Sequence, residues 1–352
     1  MQRYNKNHKT LKEVYKITAS LSNYLYFCYL KNRFMEKLAT LLHSGKNPKL
    51  PYYIKGIFRY LMPSSLLRKK LEKTLHALEG RADKAYILDR VDYYNKLSEK
   101  TALPADAPLL GAHRLKGNKS VYFFDTYEFT RWFSPSLKWC YVFGDVTTVP
   151  AYPAVVKSRP TGGDNRNSVL LNLDKIRHFV FLKDRKAFTE KEDKIIFRGE
   201  AHGKPNRIDF INRYVNHPMC DVGDVGYNPP IPHADKMTLY KHLDYKFIMA
   251  LEGNDVASNL KWVMSSNSIA VMPRPTCETW FMEGRLIPDY HYIEIRPDYS
   301  DLIEKVTYYI QHPDKAQEII NHAHEYVRQF QDKKRERLIS LLVLQKYFRF
   351  TN

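Results

Sequence analysis

From about residue 175 onward the chain alternates short apolar runs with amphipathic stretches. Runs at 178–182, 194–198, 246–251, 268–272 and 290–295 have the length and the Val, Ile and Phe content of buried strands. Helical spacing fills the gaps at 206–215, 234–243 and 257–266, and resumes after Tyr299. Strands and helices alternating at these lengths predict an α/β protein in which helices cover a parallel sheet. Earlier strand-like runs begin at Ser120-Val-Tyr-Phe-Phe and recur at 138–143. The first hundred residues differ in kind. Leu11, Val14, Tyr15 and Thr18 follow helical spacing, as do Leu66, Leu67, Leu71, Leu75 and Leu78 behind a Pro63-Ser64-Ser65 start signal. Lys and Arg fill the opposite faces. The last forty residues return to helix and end in a basic amphipathic stretch at 333–349. Pro160-Thr161-Gly162-Gly163-Asp164-Asn165 is the softest junction, a turn-rich hinge between the two halves.

A chain of 352 residues has room for two domains, and 44% hydrophobic with 14% aromatic residues supports real cores, which excludes global disorder. Charge changes the picture more. The net is +18, from 56 basic and 38 acidic side chains. Residues 1–75 hold sixteen Lys and Arg against Glu13, Glu36 and Glu72, a net of +13, and residues 331–352 are +4. The 255 residues between them are nearly neutral, at +1. A uniformly basic nucleic-acid coat is not distributed in this way. Solvated amphipathic helices would be, and so would a surface lying against anionic lipid or phosphorylated glycan, where each basic group contributes about 1 kcal/mol. Arg68, Lys69 and Lys70 are the consecutive triplet of such a membrane or acceptor surface.

No apolar run approaches the ~20 residues needed to span a bilayer; the nearest, at 19–30, contains Asn23. The start, with Gln2, Arg3, Asn5 and Lys6, does not read as a secretory signal. Cys28, Cys140, Cys220 and Cys277 are too few and too scattered for a disulfide framework. The expectation is a soluble or peripheral protein of a reducing cytoplasm.

Two segments run from strand through a glycine-containing loop to helix. In the first, 194–207, Gly199 and Gly203 lie in the loop and Arg198 and Arg207 flank it. Backbone N–H groups and a helix start can receive a phosphate there, and arginine suits bidentate pairing with it. It is not a Walker A loop, since three residues separate the glycines and Pro205 stands where Ser or Thr is required. An ordinary strand–helix turn reads the same way. The second, 246–262, runs through Glu252, Gly253 and Asn254 to a helix expected near Val256 or Ala257, placing Ser258, Asn259 and Lys261 in its first turn. Gly253 also reads as a plain turn glycine and Ser258 as a cap. Two such loops at strand C-terminal ends of one sheet are what a nucleotide crevice requires. Asp145, in Phe-Gly-Asp-Val-Thr-Thr at the end of a strand, suits a general base facing a cleft, and equally a turn or cap. No Asp-x-Asp, Cys-x-x-Cys or Gly-x-Ser-x-Gly occurs, and His322 and His324 are two apart on a helix, so they do not share a face. No metal is expected.

These residues, taken in order, resemble glycosyltransferase family 90, which includes capsule-associated, lipopolysaccharide-modifying and protein O-glucosyl- or xylosyltransferases. The resemblance covers about residues 120–330. It rests on Phe143-Gly-Asp-Val-Thr with Val156-Lys-Ser-Arg-Pro, on Phe197-Arg-Gly with Arg207, and on Tyr245-Lys through Glu252-Gly253 to Ala257-Ser-Asn-Leu-Lys. Ser268-Ile-Ala-Val, Trp280, His291-Tyr292 and Asp301-Leu302 complete it. The bacterial branch described as lipopolysaccharide A-type is the most similar.

The resemblance implies a GT-B fold, two Rossmann-like lobes facing a cleft, with an added helical N-terminal region. Residues 1–165 would form the basic region and acceptor-side lobe, 166–330 the nucleotide-sugar lobe, and 331–352 a basic helix returning to the first lobe. It also implies inverting, metal-independent transfer of a hexose from a UDP-sugar donor, with no cofactor. The acceptor would be a lipid-linked glycan, the core of a lipopolysaccharide or lipooligosaccharide. Asp145 falls at the family's base position. Arg198, Gly199, Arg207, Gly253, Asn254, Ser258, Asn259 and Lys261 fall in its donor-binding stretches, with Lys157 and Arg159 between. Asn259 stands where some eukaryotic members carry arginine. The expected location is cytoplasmic, peripheral on the inner face of the plasma (inner) membrane. The rivals are a basic nucleic-acid-binding protein, suggested by +18 alone, and a scaffold of the same fold without activity.

Overall fold

Five parallel strands form the main sheet of the computed structural model, which describes residues 44–115 and 119–352. Helical positions expected at 11–18 lie outside the described residues. Apart from the first half of the turn Leu239–His242, everything below belongs to one compact unit, residues 46–237 and 241–352. In chain order its strands are β1 (Tyr141–Val142), β2 (Ala154–Val156), β3 (Ser158–Pro160), β4 (Ser168–Leu170), β5 (Glu192–Gly199), β6 (Cys220–Asp224), β7 (Tyr245–Met249), β8 (Ile269–Met272), β9 (Cys277–Thr279) and β10 (Ile293–Glu294). The main sheet runs β10-β8-β7-β5-β6; a second parallel sheet runs β1-β2-β4, and β3 pairs antiparallel with β9.

The longer helices are α1 (Lys49–Leu61), α2 (Ser65–His76), α3 (Lys84–Tyr94), α4 (Ser120–Thr130), α5 (Pro205–Tyr214), α6 (Leu302–Gln311), α7 (Pro313–Arg328) and α8 (Lys333–Thr351). The main core joins Ile195, Phe197, Phe247, Met249, Ile269 and Val271 of the sheet to Phe210 of α5, Val306 of α6 and Ile320 of α7. β7 and β8 are buried throughout, as parallel strands covered on both faces must be.

Mixed α/β architecture with parallel sheets is therefore present, and the strands expected at 194–198, 246–251 and 268–272 form. Others do not. The run starting at Ser120 is helix α4: Phe123, Thr126 and Thr130 recur at helical spacing and are buried, and Phe123 packs edge-on against Tyr60 of α1 at 5.3 Å. At 178–182 there is no strand. Lys175–His178 is one helical turn, and Asn47 Nδ2 donates to the carbonyls of Ile176 (3.3 Å) and Phe179 (2.9 Å). Side chains thus take the backbone partners a ladder would supply. The runs at 138–143 and 290–295 shrink to two paired residues each, and the helices at 234–243 and 257–266 to single turns, Leu239–His242 and Leu260–Val263.

α8 crosses back over the start of the chain. It packs on α3, α4 and α2. Arg90 of α3, fully buried, pairs with Glu336 at 2.5 Å, and Trp280 Nε1 donates to the same carboxylate at 2.6 Å. Tyr347 donates to Pro153 O at 3.0 Å and accepts from Cys140 N at 2.8 Å. The basic end at 333–351 thus lies against the described part of the basic beginning.

Candidate active site

Strand order reverses between β5 and β7: β6 lies on one side of β5, and β7 with β8 and β10 lies on the other. Loops leaving such neighbours diverge and leave a crevice beyond the C-terminal edge, where ligands of doubly wound sheets bind. Arg207, one turn into α5, ties the two loops together. Its guanidinium donates to Glu200 O (2.9 Å) after β5, and to Leu251 O (2.8 Å) and Glu252 O (3.1 Å) after β7. Gly253 makes this approach possible, since a Cβ there would stand 3.0 Å from Arg207 Nη2. Pro205 starts α5, where no backbone N–H is needed.

Asp145 reaches the same edge. Its Oδ2 accepts from Asn254 Nδ2 at 3.0 Å, and its Oδ1 pairs with Lys157 and lies 3.6 Å from Arg177. Lys157 is fully buried and also pairs with Asp255 at 2.7 Å. Burial pushes the Asp145 carboxyl up, but Lys157, Asn254 and Arg177 together outweigh it and hold its pKa below the usual Asp value. Asp145 is therefore ionised, with both oxygens oriented.

Arg177 stems from a strained turn. Asp174 has φ 56°, a left-handed conformation uncommon outside glycine, and its carboxylate pairs with Arg177 at 2.8 Å. Burial raises the Asp174 pKa. His178 follows, buried, with neither ring nitrogen hydrogen-bonded among the described residues. Burial, with Lys261, Lys157 and Arg177 nearby, drives its pKa well down and keeps it neutral.

The structure brings Asp145, Lys157, Arg207, Gly253 and Asn254 together and directs other candidates elsewhere. Arg198 pairs with Asp221 of β6 at 2.5 Å and donates to that residue's carbonyl at 2.8 Å. Arg159 is fully buried, paired with Glu278 of β9 at 2.8 Å and donating to Tyr93 O and Ser168 O. Lys261 is fully buried against Glu283 at 2.5 Å, and Glu283 also accepts from Thr279 N at 2.7 Å. The helix expected from Val256 or Ala257 starts only at Leu260, so Ser258 lies exposed on the preceding turn and Asn259 donates to Met249 O at 2.9 Å. Gly199 ends β5 beneath the Phe197 ring, where a Cβ would come within 2.7 Å. Arg68, Lys69 and Lys70 are exposed on α2, away from this group. Asp174, Arg177, His178 and Asp255 were not foreseen. The run at 178–182 masked the first three, and only the neighbouring Asn254 hinted at Asp255.

A pocket of about 180 Å³ opens beside the loop after β7, lined by Asn206, Glu252, Val256, Ala257, Thr276 and Tyr299 among others. Glu252 faces it and accepts from Thr276 Oγ1 at 2.6 Å. Burial raises its pKa despite those bonds. Among the described residues no group of three His, Cys, Asp or Glu side chains is placed to hold a metal ion. His322 stacks on Tyr290 at 3.6 Å while His324 bonds Ser266 O at 2.8 Å, so the two diverge.

Comparison with known proteins shows which family the chain belongs to. The model of glycosyl transferase family 90 matches residues 172–350, and the chain is 40% identical over 304 residues to the O-glucosyltransferase LpsA of Dichelobacter nodosus, covering 85% of this chain and 95% of that protein. The chain belongs to glycosyl transferase family 90. Protein O-glucosyltransferase 3 of Rattus norvegicus and of Homo sapiens is more distant, at 25% and 24% identity over 169 residues, 46% of this chain and 33% of theirs. The family 90 match begins just before the turn carrying Asp174 and Arg177 and includes both loops tied by Arg207. The chain is thus a glycosyltransferase, and the crevice lies within the matched part except for Asp145 and Lys157, which precede it. Among the described residues no helix is long and apolar enough to cross a membrane.

Proposed function

We propose that this family 90 member moves a hexose from a UDP-sugar to a hydroxyl of a lipopolysaccharide or lipooligosaccharide core, with inversion and without a metal ion. The observation that carries the reading is Asp145: an ionised, oriented carboxylate at the C-terminal edge of a nucleotide-type sheet, bonded to the loop that Arg207 holds. The name of the Dichelobacter relative supports glucosyl transfer to oxygen and, through LpsA, a lipopolysaccharide acceptor. The parallel sheet β1-β2-β4 beside the five-stranded one supports two Rossmann-like lobes of GT-B type.

In this mechanism Asp145 accepts the acceptor hydroxyl's proton as its oxygen attacks the anomeric carbon from the face opposite UDP. The bond from that carbon to the phosphate oxygen breaks, and UDP leaves with the electron pair. Fixed cations near the developing charge stabilise it without reorganisation. The geometry supports Arg207 and Arg177 in that role. Arg198, Arg159 and Lys261, paired with Asp221, Glu278 and Glu283, are assigned to the scaffold, whereas Arg177, although paired with Asp174, also lies 3.6 Å from Asp145. Glu252 borders the space where the donor would lie.

A thermal-shift panel of UDP, UDP-sugars and other nucleotide sugars tests the donor. A true donor at a hundredfold its Kd stabilises the fold by about 2.7 kcal/mol, and a panel in which no uridine nucleotide shifts the midpoint removes the assignment. Transfer should also survive excess EDTA. Loss on chelation, restored by manganese or magnesium, would overturn the metal-free mechanism.

The +13 beginning and the +4 end support a peripheral place on the inner face of an anionic membrane. Attraction across water is screened over about 8–10 Å at physiological salt, so vesicle binding should weaken as salt rises. Replacing Arg68, Lys69 and Lys70 with Gln should weaken it further at low salt, with the UDP-induced thermal shift unchanged. Equal binding of variant and parent to anionic vesicles would exclude this surface.

A further inference from the structure

Helix α1 is apolar on both sides, and among the described residues one side is packed while the other is exposed. The inner side is aromatic. Tyr53 packs on Phe124 of α4 at 6.0 Å and Tyr60 on Tyr127 at 5.3 Å, while Gly56 lets the helices approach so closely that a Cβ would stand 2.7 Å from the Phe124 ring. The outer side carries Leu50, Ile54, Ile57, Phe58 and Leu61, spaced four, three, one and three residues apart, hence on one helical face. They are exposed: Leu50 71%, Ile54 58%, Phe58 62% and Leu61 74%. Met62 and Leu66, also exposed, extend the patch to the start of α2. A surface helix normally turns polar groups outward, and contiguous apolar patches mark interaction sites.

The surroundings say what kind of partner fits. Lys46, Lys49, Lys55, Arg68, Lys69, Lys70 and Lys73 flank the patch, with Glu72 as the one acidic residue of 46–73. Arg59, paired with Glu128 at 2.5 Å, is turned inward. Crowding by Arg59, with burial, Lys175 and Lys333 adding to it, lowers the Lys55 pKa, a sign of positive field on this side. An apolar stripe bordered by lysines and arginines is the composition of a helix lying in a membrane interface.

We infer that the outer face of α1 inserts into the acyl boundary of an anionic bilayer, with the flanking lysines and arginines on its headgroups. The inference deepens the membrane reading above and rests on it, adding an apolar contact that salt does not screen. It also links the membrane to the crevice. Tyr52 of α1 donates to Asp125 of α4 at 2.9 Å, and the other oxygen of Asp125 accepts from Lys175 N at 3.0 Å. Asn47, just before α1, bonds the carbonyls of Ile176 and Phe179. Arg177, 3.6 Å from Asp145, sits between those anchors. The helix that would lie in the lipid is thus bonded to the turn beside the candidate base, which suits an acceptor whose own lipid holds it at that depth.

The test compares three full-length proteins by sedimentation with phosphatidylcholine–phosphatidylglycerol vesicles at low and at high salt: the parent, Ile54→Gln with Phe58→Gln and Leu61→Gln, and the triple Gln variant of Arg68, Lys69 and Lys70. All substituted side chains are exposed, and unchanged thermal midpoints verify folding. The parent should retain binding at high salt, and the α1 variant should lose at least about tenfold of it. The basic variant should lose mainly the low-salt component. If the parent binds at low salt only and the α1 variant matches it, insertion is overturned while the electrostatic reading stands. If the parent binds no vesicles at any salt, both fail. If the α1 substitutions instead turn a dimer into a monomer on gel filtration with vesicle binding intact, the face belongs to a second copy of the chain and the inference is overturned.

Discussion

Asp145→Asn leaves the fold and UDP binding intact and lowers transfer by about two to four orders of magnitude, the usual reach of general-base catalysis. The fold survives because Lys157, which loses one carboxylate, still has Asp255 at 2.7 Å, so no buried charge is stranded. The amide oxygen can take the place of Oδ1 toward Lys157, and the amide N–H2 then meets Asn254, whose exposed side-chain amide turns over to present its oxygen. What disappears is the group able to take the acceptor proton. Single-turnover transfer, measured beside the UDP thermal shift, separates chemistry from binding, and near-parental turnover would remove Asp145 from the mechanism. The pH profile gives a second reading. A carboxylate whose pKa is depressed in the folded protein stays ionised until the pH falls below the ordinary Asp range. Its contribution to stability is present above the unfolded value and disappears as pH drops through the folded one. The acid limb of kcat/KM should therefore lie below the ordinary Asp value, and a limb near neutrality would point to another base.

Lys261→Met lowers unfolding stability by about 3–5 kcal/mol, the effect of removing one partner from a buried ion pair. Glu283 would be left enclosed without its cation, with Thr279 as its one remaining donor among the described residues. Adding Glu283→Gln should restore most of the loss, because Gln keeps an oxygen for the Thr279 N–H and needs no counter-ion. Urea midpoints of the single and double variants measure this directly. The double variant also decides the role of Lys261. A scaffold role predicts that UDP binding returns with stability, whereas a phosphate contact predicts a stable protein that no longer binds UDP.

Local pattern carried much of the main sheet. β5, β7 and β8 are short, apolar and β-branched, and helix α5 follows a proline start, so periodicity and turn chemistry located them. The edge strand β6, Cys-Asp-Val-Gly-Asp, was illegible: its aspartates are accommodated by Arg198 and by the Ala201 N–H at 2.8 Å, partners from β5 and the loop that follows it. β2, β3, β4 and β9 are three residues each, too short for any alternation to register. α4 reads as a strand by composition, and becomes a helix because α1 and α8 pack against it.

The same division runs through the crevice. Sequence by itself determined that the chain is an α/β protein with a nearly neutral body and basic ends, with strand–loop–helix units at 194–207 and 246–262 and a polar strand end at Asp145. Those are properties of neighbours in the chain, fixed by backbone propensity and burial. Tertiary structure decided which charged side chains meet. Arg198, Arg159 and Lys261 look alike in sequence to Arg207 and Lys157, yet the first three are each held by a carboxylate other than Asp145, namely Asp221, Glu278 and Glu283. A buried cation must find a compensating charge wherever the fold supplies one, and that partner can lie more than a hundred residues away, as Glu278 does from Arg159. The same holds for α1: spacing marks its apolar face, but only packing against α4 reveals that a second apolar face is left over.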